Sequence, residues 1–269
     1  LSTPAKRATD VQPTFHDATD FGAAMEPLLW AQELSGLNGP IRGVGNPRLL
    51  LSPRAALVGS RVATGWGLAS LEAIAMGIAA QGIVVVSGGA VGSDCVAHRA
   101  ALAAGGSTIV VLPCRLEDID LAIWRREWNI DWDMERVLFL SPFQRNERPR
   151  KNHPIIRNRL VAALAHVGVV GSTGISGGTN HTLSELKRLS RPVYVLDTQS
   201  RDARLQMALK TLASGGARLF SAEQALSPSL HAEIVRATIQ GARRDEADSS
   251  GQMRFCEPTA TYGTEPDSS

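Results

Sequence analysis

The sequence predicts an α/β fold: a doubly wound, mostly parallel sheet with helices on both faces. Three observations carry this reading. Seven short apolar runs recur along the chain, helical patterns lie between several of them, and two runs end in small-residue turns that open a helix.

The apolar runs are residues 56–59, 83–87, 108–112, 137–140, 167–171, 193–196 and 217–220. Continuous apolar runs of four to six residues read as strands buried on both faces, as a parallel sheet covered by helices requires. The first helical pattern has Leu68, Leu71, Ile74, Ala75 and Ile78 on one face, with Thr64 as its cap. The second spans about 94–103 and stops at Gly105-Gly106. Further helices fit 155–165, 179–189 and 202–213, and one more runs from about 227 to Arg243.

This core is expected to occupy 51–226. Residues 1–50 form a partly ordered extension, with one short helix in 28–50 and turns at Asn38-Gly39-Pro40 and Asn46-Pro47. Residues 227–244 form a C-terminal helix. Residues 245–269, rich in Ser, Asp, Glu, Gly, Thr and Pro, read as a disordered acidic tail.

Charge is unevenly placed. The net charge is only +2, yet one base and six acids lie from Asp245 onward, which leaves 27 bases against 20 acids, +7, before it. A mildly basic body permits a polyanionic partner. Cys95, Cys114 and Cys256 form no CxxC pair, so neither a metal site nor a disulfide framework is indicated, and a reducing cytoplasm is the simple location. No apolar run approaches the ~18–20 residues needed to cross a bilayer, so no membrane partner is expected.

Two turns carry the functional argument. The run 56–58 enters Gly59-Ser60-Arg61, and the run 83–86 enters Ser87-Gly88-Gly89-Ala90-Val91-Gly92; a helical pattern follows each. A strand that ends in a small turn before a helix leaves backbone N–H groups free at the positive end of the helix dipole. That is an anion site. Glycine allows positive φ or close approach to a phosphate, and Arg61 adds a planar fork suited to phosphate. The plain alternative is a tight turn with Arg61 in solvent; two such turns at one sheet end favour a shared phosphate pocket.

Asp94 and His98 stand four apart at the start of the second helix. They read either as ligand contacts or an acid/base pair, or as a helix cap and a histidine held by local hydrogen bonds. No nucleophile, second carboxylate or metal cluster stands near them, so neither catalysis nor a cofactor is expected. A third Gly-rich turn, Ser176-Gly177-Gly178-Thr179, precedes another helix.

The densest basic stretch, FQRNERPRKNHPIIRNRL, holds Arg145, Arg148, Arg150, Lys151, Arg157 and Arg159 against one acid, Glu147. It reads as a solvated loop or as a surface for a nucleic-acid backbone. Arg157-Asn158-Arg159 sits inside an apolar-periodic helix, so its place relative to the sheet is fixed. Trp124, Trp128 and Trp132, at i, i+4 and i+8, read as core or an interface more readily than as a base-stacking face.

Taken together, these motifs resemble the DNA-processing protein A family (DprA, or Smf). The resemblance rests on Gly59-Ser60-Arg61 with Thr64 and Gly67; on Ser87, Gly88, Ala90, Gly92, Asp94, Ala97 and His98; on Arg157-Asn158-Arg159 with Ala163 and Leu164; and on Ser176 and Gly177 with Thr179 or Thr182. It spans about 140 residues. Departures are Pro113-Cys114-Arg115 where the family has Gly-x-Gly, Gly171-Ser172 in place of an acidic residue, and Asp197-Thr198 in place of Pro-Gly. A divergent, minimal member without a winged-helix domain is expected.

The resemblance implies an extended Rossmann-like fold that binds single-stranded DNA without chemistry on it, dimerises, and helps load a RecA-type recombinase during DNA uptake. The implied phosphate-contacting set is Gly59, Ser60, Arg61, Ser87, Gly88, Gly89, Gly92, Asp94, His98, Lys151, Arg157, Asn158, Arg159, Ser176, Gly177, Gly178 and Thr179. The same superfamily holds phosphoribohydrolases, so a small-nucleotide enzyme or sensor using Glu185 is the alternative.

Overall fold

The computed structural model describes residues 15–16, 18–61, 63, 65–172 and 177–255. Thr64 and Ser176 lie outside the described residues. A nine-stranded sheet runs through them. Its strands are β1 (Phe15–His16), β2 (Arg42–Gly45), β3 (Arg54–Gly59), β4 (Val84–Gly88), β5 (Thr108–Val111), β6 (Val137–Ser141), β7 (Val167–Ser172), β8 (Val193–Leu196) and β9 (Arg218–Phe220). The spatial order is β1-β2-β6-β5-β4-β3-β7-β8-β9. From β6 to β9 every neighbouring pair is parallel; β2 and β1 add an antiparallel margin at one edge.

The helices are α1 (Met25–Ser35), α2 (Gly65–Ala79), α3 (Ser93–Ala103), α4 (Leu121–Trp128), α5 (His153–Leu164), α6 (Gly178–Arg188), α7 (Ala203–Ser214), α8 (Ala222–Ala225) and α9 (Pro228–Phe255). They cover both faces. Along β3, Ala56 and Val58 pack with α1, α5 and α6 through Leu28, Leu160, Leu164 and Leu186. Their neighbours Ala55 and Leu57 pack on the other face with Leu71, Ile74, Ala97 and Ile234 of α2, α3 and α9. Because both faces are buried, alternation along each strand disappears into a continuous apolar run. The expected doubly wound sheet is therefore present.

Three elements differ from the sequence reading. β2 was not expected: its Arg-Gly-Val-Gly composition carries no strand signal, yet it pairs along its whole length with β6. Residues 245–255, expected to start a disordered tail, complete α9 instead. The stripe Trp124, Trp128 and Trp132 is not on one helix, because α4 stops at Trp128. It still forms a core cluster: Trp124 stacks on Trp128 at 4.5 Å, and Trp132 meets Phe139 edge-on at 5.2 Å.

The chain goes first through β3, β4, β5 and β6 towards one edge, then returns to β7 on the other side of β3. That reversal opens a crevice beyond the carboxyl ends of β3, β4 and β7, where ligands of doubly wound sheets bind.

Candidate functional site

The crevice is a cleft of about 570 Å³ where the starts of α3, α5 and α6 converge around the end of β3. Its first wall is the turn after β3. Gly59, Ser60 and Arg61 line it, and Arg61 is exposed. The second turn is built against the first. Ser93 Oγ donates to the Ser60 carbonyl at 3.0 Å. Gly92 takes φ 84°, and a Cβ there would stand 2.7 Å from the Arg61 carbonyl oxygen. Only glycine lets the two turns meet this closely.

Arg157, one turn into α5, forms the floor. It is buried, with its guanidinium directly over Gly88 at the end of β4 and Nη1 3.5 Å from Asp94 Oδ2. Burial pushes the Asp94 carboxyl up in pKa against the pull of Arg157, and lowers that of Arg157. The Arg157 Nε is buried without a hydrogen-bond partner. A guanidinium remains charged under these conditions, so the floor holds a desolvated cation with donor capacity left to use.

The third wall is the start of α6. Gly177 sits at φ 124°, and Asn158 Nδ2 donates to the Gly178 carbonyl at 2.9 Å, which ties α5 to this turn. Gly178 and Thr179 line the cleft with Lys151, which is exposed at the end of the basic loop. Arg61, Lys151 and Arg157 thus face a single carboxylate, Asp94, and the cleft suits an anion.

Other expected residues support the site from beneath. Ser87 and His98 are fully buried and do not reach the cleft. Ser87 Oγ donates to the Leu57 carbonyl and joins β4 to β3. His98 Nε2 lies 2.9 Å from the Gly88 carbonyl and Nδ1 2.7 Å from Thr108 Oγ1. Burial lowers its pKa to about 4, so the ring is neutral. A neutral ring has one N–H, and the Gly88 carbonyl, which can only accept, needs it at Nε2; the Thr108 hydroxyl, 2.7 Å from Nδ1 and 2.8 Å from the Val85 carbonyl, has one proton for these two acceptors. His98 is therefore a strut under the second turn. Gly89 faces Trp124, whose ring would stand 2.8 Å from a Cβ there.

Arg159 points elsewhere. Its Nη2 would lie 3.5 Å from a Cβ on Gly36, the left-handed residue ending α1, which places it away from the cleft. Glu185 is held by Arg188 Nε at 2.8 Å and is not among the cleft residues, so the carboxylate of a phosphoribohydrolase-like site is not where that chemistry needs it. His181, Pro154 and Ile155 line the cleft although the motifs did not single them out. His181 stands two positions after Thr179, a place that a helical projection of the third turn would have included.

Of the basic loop, Arg145 is anchored to Glu117 at 3.0 Å, while Arg148, Arg150 and Lys151 are exposed. Among the described residues no group of His, Cys, Asp and Glu could hold a metal ion, and no helix is long and apolar enough to cross a membrane.

The family model for DNA recombination-mediator protein A matches residues 40–230, which include every wall of this cleft. The chain belongs to that family. A Mycobacterium tuberculosis relative, a putative DNA processing protein DprA, is 35% identical over 179 residues, 62% of this chain and 46% of its own length. The chain thus spans about half of that relative. The X-ray structure of Streptococcus pneumoniae DNA processing protein A superposes with a TM-score of 0.63 at 28% identity, covering 80% of this chain and 74% of that one. A Helicobacter pylori structure, concerned with the single-stranded DNA binding mode of DNA processing protein A, gives 0.59 at 27% identity, covering 71% and 86%. The DNA recombination-mediator match fits the doubly wound, mostly parallel α/β sheet.

Proposed function

We propose that this chain binds single-stranded DNA, with phosphates of the strand seated in the cleft, and does no chemistry on it. The observation that carries the reading is the buried, partly unsatisfied Arg157 guanidinium over Gly88, where three helix starts meet. A phosphate entering there would replace Asp94 as its partner and receive backbone donors from the turns. Arg61 and Lys151 would hold the flanking phosphates, and exposed Arg148 and Arg150 would extend the positive path. The bound strand is handed to a RecA-type recombinase by a dimer of this chain, as a step in DNA uptake and processing in the cytoplasm.

The experiment is fluorescence anisotropy of labelled oligo-dT at two salt concentrations, with duplex DNA and free nucleotides as competitors. Binding that weakens with salt and prefers single strands is expected, and Arg61→Ala and Arg157→Ala should each lower affinity and flatten the salt dependence. Unchanged affinity and slope in both variants would remove the cleft from consideration. Displacement of the oligonucleotide by free nucleotides alone would favour a small-nucleotide site.

A further inference from the structure

Three exposed apolar side chains stand at the sheet end on which the cleft opens, a margin that the reading above leaves unused. Trp66 is 78% exposed, whereas Trp128 and Trp132 are buried and Trp30 and Trp124 half-buried. Val91 in the second turn is 60% exposed, and Ile155 on the cleft wall 41%. We propose that Trp66 is a stacking platform for the bases of the strand whose phosphates occupy the cleft, an inference that rests on the proposed single-stranded DNA binding.

Position comes first. Trp66 stands in the first turn of α2, five residues after Arg61 and at the carboxyl end of β3, the end on which the cleft opens. Its backbone is fixed. A Cβ on Gly171 at the end of β7 would lie 2.9 Å from Leu71 Cβ and 3.2 Å from the Gly67 carbonyl oxygen, so the start of α2 is pressed onto the sheet. The indole is thus an exposed plane on a rigid element, not the tip of a loop. A strand that turns its phosphates towards Arg61, Arg157 and Lys151 turns its bases outwards, towards this margin.

Chemistry commits the occupant. A cation-lined cleft beside an exposed aromatic plane is the arrangement that holds single-stranded nucleic acid, since every base offers a π-face and duplex DNA hides them. Val91 and Ile155 are aliphatic and supply contact area without a preferred base. The platform therefore selects strandedness, not sequence.

The test compares labelled oligo-dT with an abasic oligonucleotide of the same length and backbone, at one salt concentration, by anisotropy. Wild type should prefer oligo-dT by about 5- to 100-fold, the range of one stacked base. Trp66→Ala should remove most of that preference while leaving abasic affinity and salt slope unchanged; Trp66→Phe should keep part of it, and Trp66→Leu should not. Equal losses on both oligonucleotides, or a full preference in Trp66→Ala or Trp66→Leu, would overturn the proposal while leaving salt-dependent binding of the strand in place. Failure of wild type to bind either oligonucleotide would instead overturn the cleft reading, and the platform with it.

Discussion

The Arg157 guanidinium lies on the backbone of Gly88, in the space a Cβ would fill. The glycine of the second turn is therefore needed for the arginine rather than for a strained backbone angle; Gly88 is not among the residues with positive φ. Gly88→Ala should expel the guanidinium and reproduce the binding defect of Arg157→Ala without removing a charge from the sequence. One charge-assisted contact contributes about 1.5–3 kcal/mol, so oligo-dT affinity should fall roughly 10- to 100-fold. Anisotropy titration decides it, and an affinity within twofold of wild type would show that Arg157 does not work from this seat.

Asp94 has opposing effects on folding and binding. It is the buried partner of Arg157, yet its carboxylate stands where a phosphate would lie. Asp94→Asn should therefore strengthen binding of oligo-dT several-fold and lower stability by roughly 3 kcal/mol, the scale for a buried charge deprived of its partner. Urea unfolding and anisotropy on the same preparation measure both. Weaker binding by a folded Asp94→Asn protein would mean that the carboxylate assists the strand.

Two of the buried histidines, His98 and His166, set the acid limit. His98 is held neutral with a pKa of about 4, and His166, flanked by Arg54 and Arg191, with one of about 2. Both lie below the unfolded value of about 6.5. A depressed folded pKa means that the unfolded chain binds the proton first, so stability present above about pH 6.5 is lost as pH falls towards the folded value. For His98 the loss is complete near pH 4 and amounts to roughly 3 kcal/mol. Urea midpoints at pH 7 and pH 4.5 should differ strongly in wild type and less in His98→Gln, which keeps a donor for the Gly88 carbonyl. Equal pH dependence in the two proteins would exclude His98 as a source.

The strands were legible in the sequence because helices cover both sheet faces, so burial writes itself as unbroken apolar runs such as residues 167–171. The two glycine turns were legible because glycine is costly to replace where chains touch, as at Gly92 and Gly88. The fate of Arg159 was misread, although helix geometry could have corrected it. Residues two apart on a helix are turned by about 200°, so Arg157 and Arg159 cannot both face the cleft. β2 left no trace because its pairing to β6 uses backbone groups that any residue supplies. The continuation of α9 through residues 245–255 was hidden because the helix there carries the same polar residues as a solvated tail.

Asp245, which the sequence groups with the acidic tail, accepts both terminal nitrogens of Arg191, at 2.5 and 2.7 Å, and its charge acts on Arg54 below. Arg54 and Arg191 are both buried, and Arg54 is satisfied chiefly by the Leu50, Ser52 and Leu164 carbonyls. Asp245→Ala would leave the buried Arg191 guanidinium without its carboxylate and Arg54 with the pull of Glu246 alone, and should cost about 3–5 kcal/mol. Asp248→Ala, an exposed acid one turn on, should change stability by less than about 0.5 kcal/mol. Arg54 starts β3 and Gly59 ends it, so Asp245 sits a strand length, roughly 17 Å, from the cleft. Asp245→Ala should therefore leave oligo-dT affinity unchanged at a temperature where it is folded. Urea unfolding of the two variants beside wild type makes the comparison. Equal stability of Asp245→Ala and Asp248→Ala would mean that the end of α9 does not close over Arg54 and Arg191 in solution.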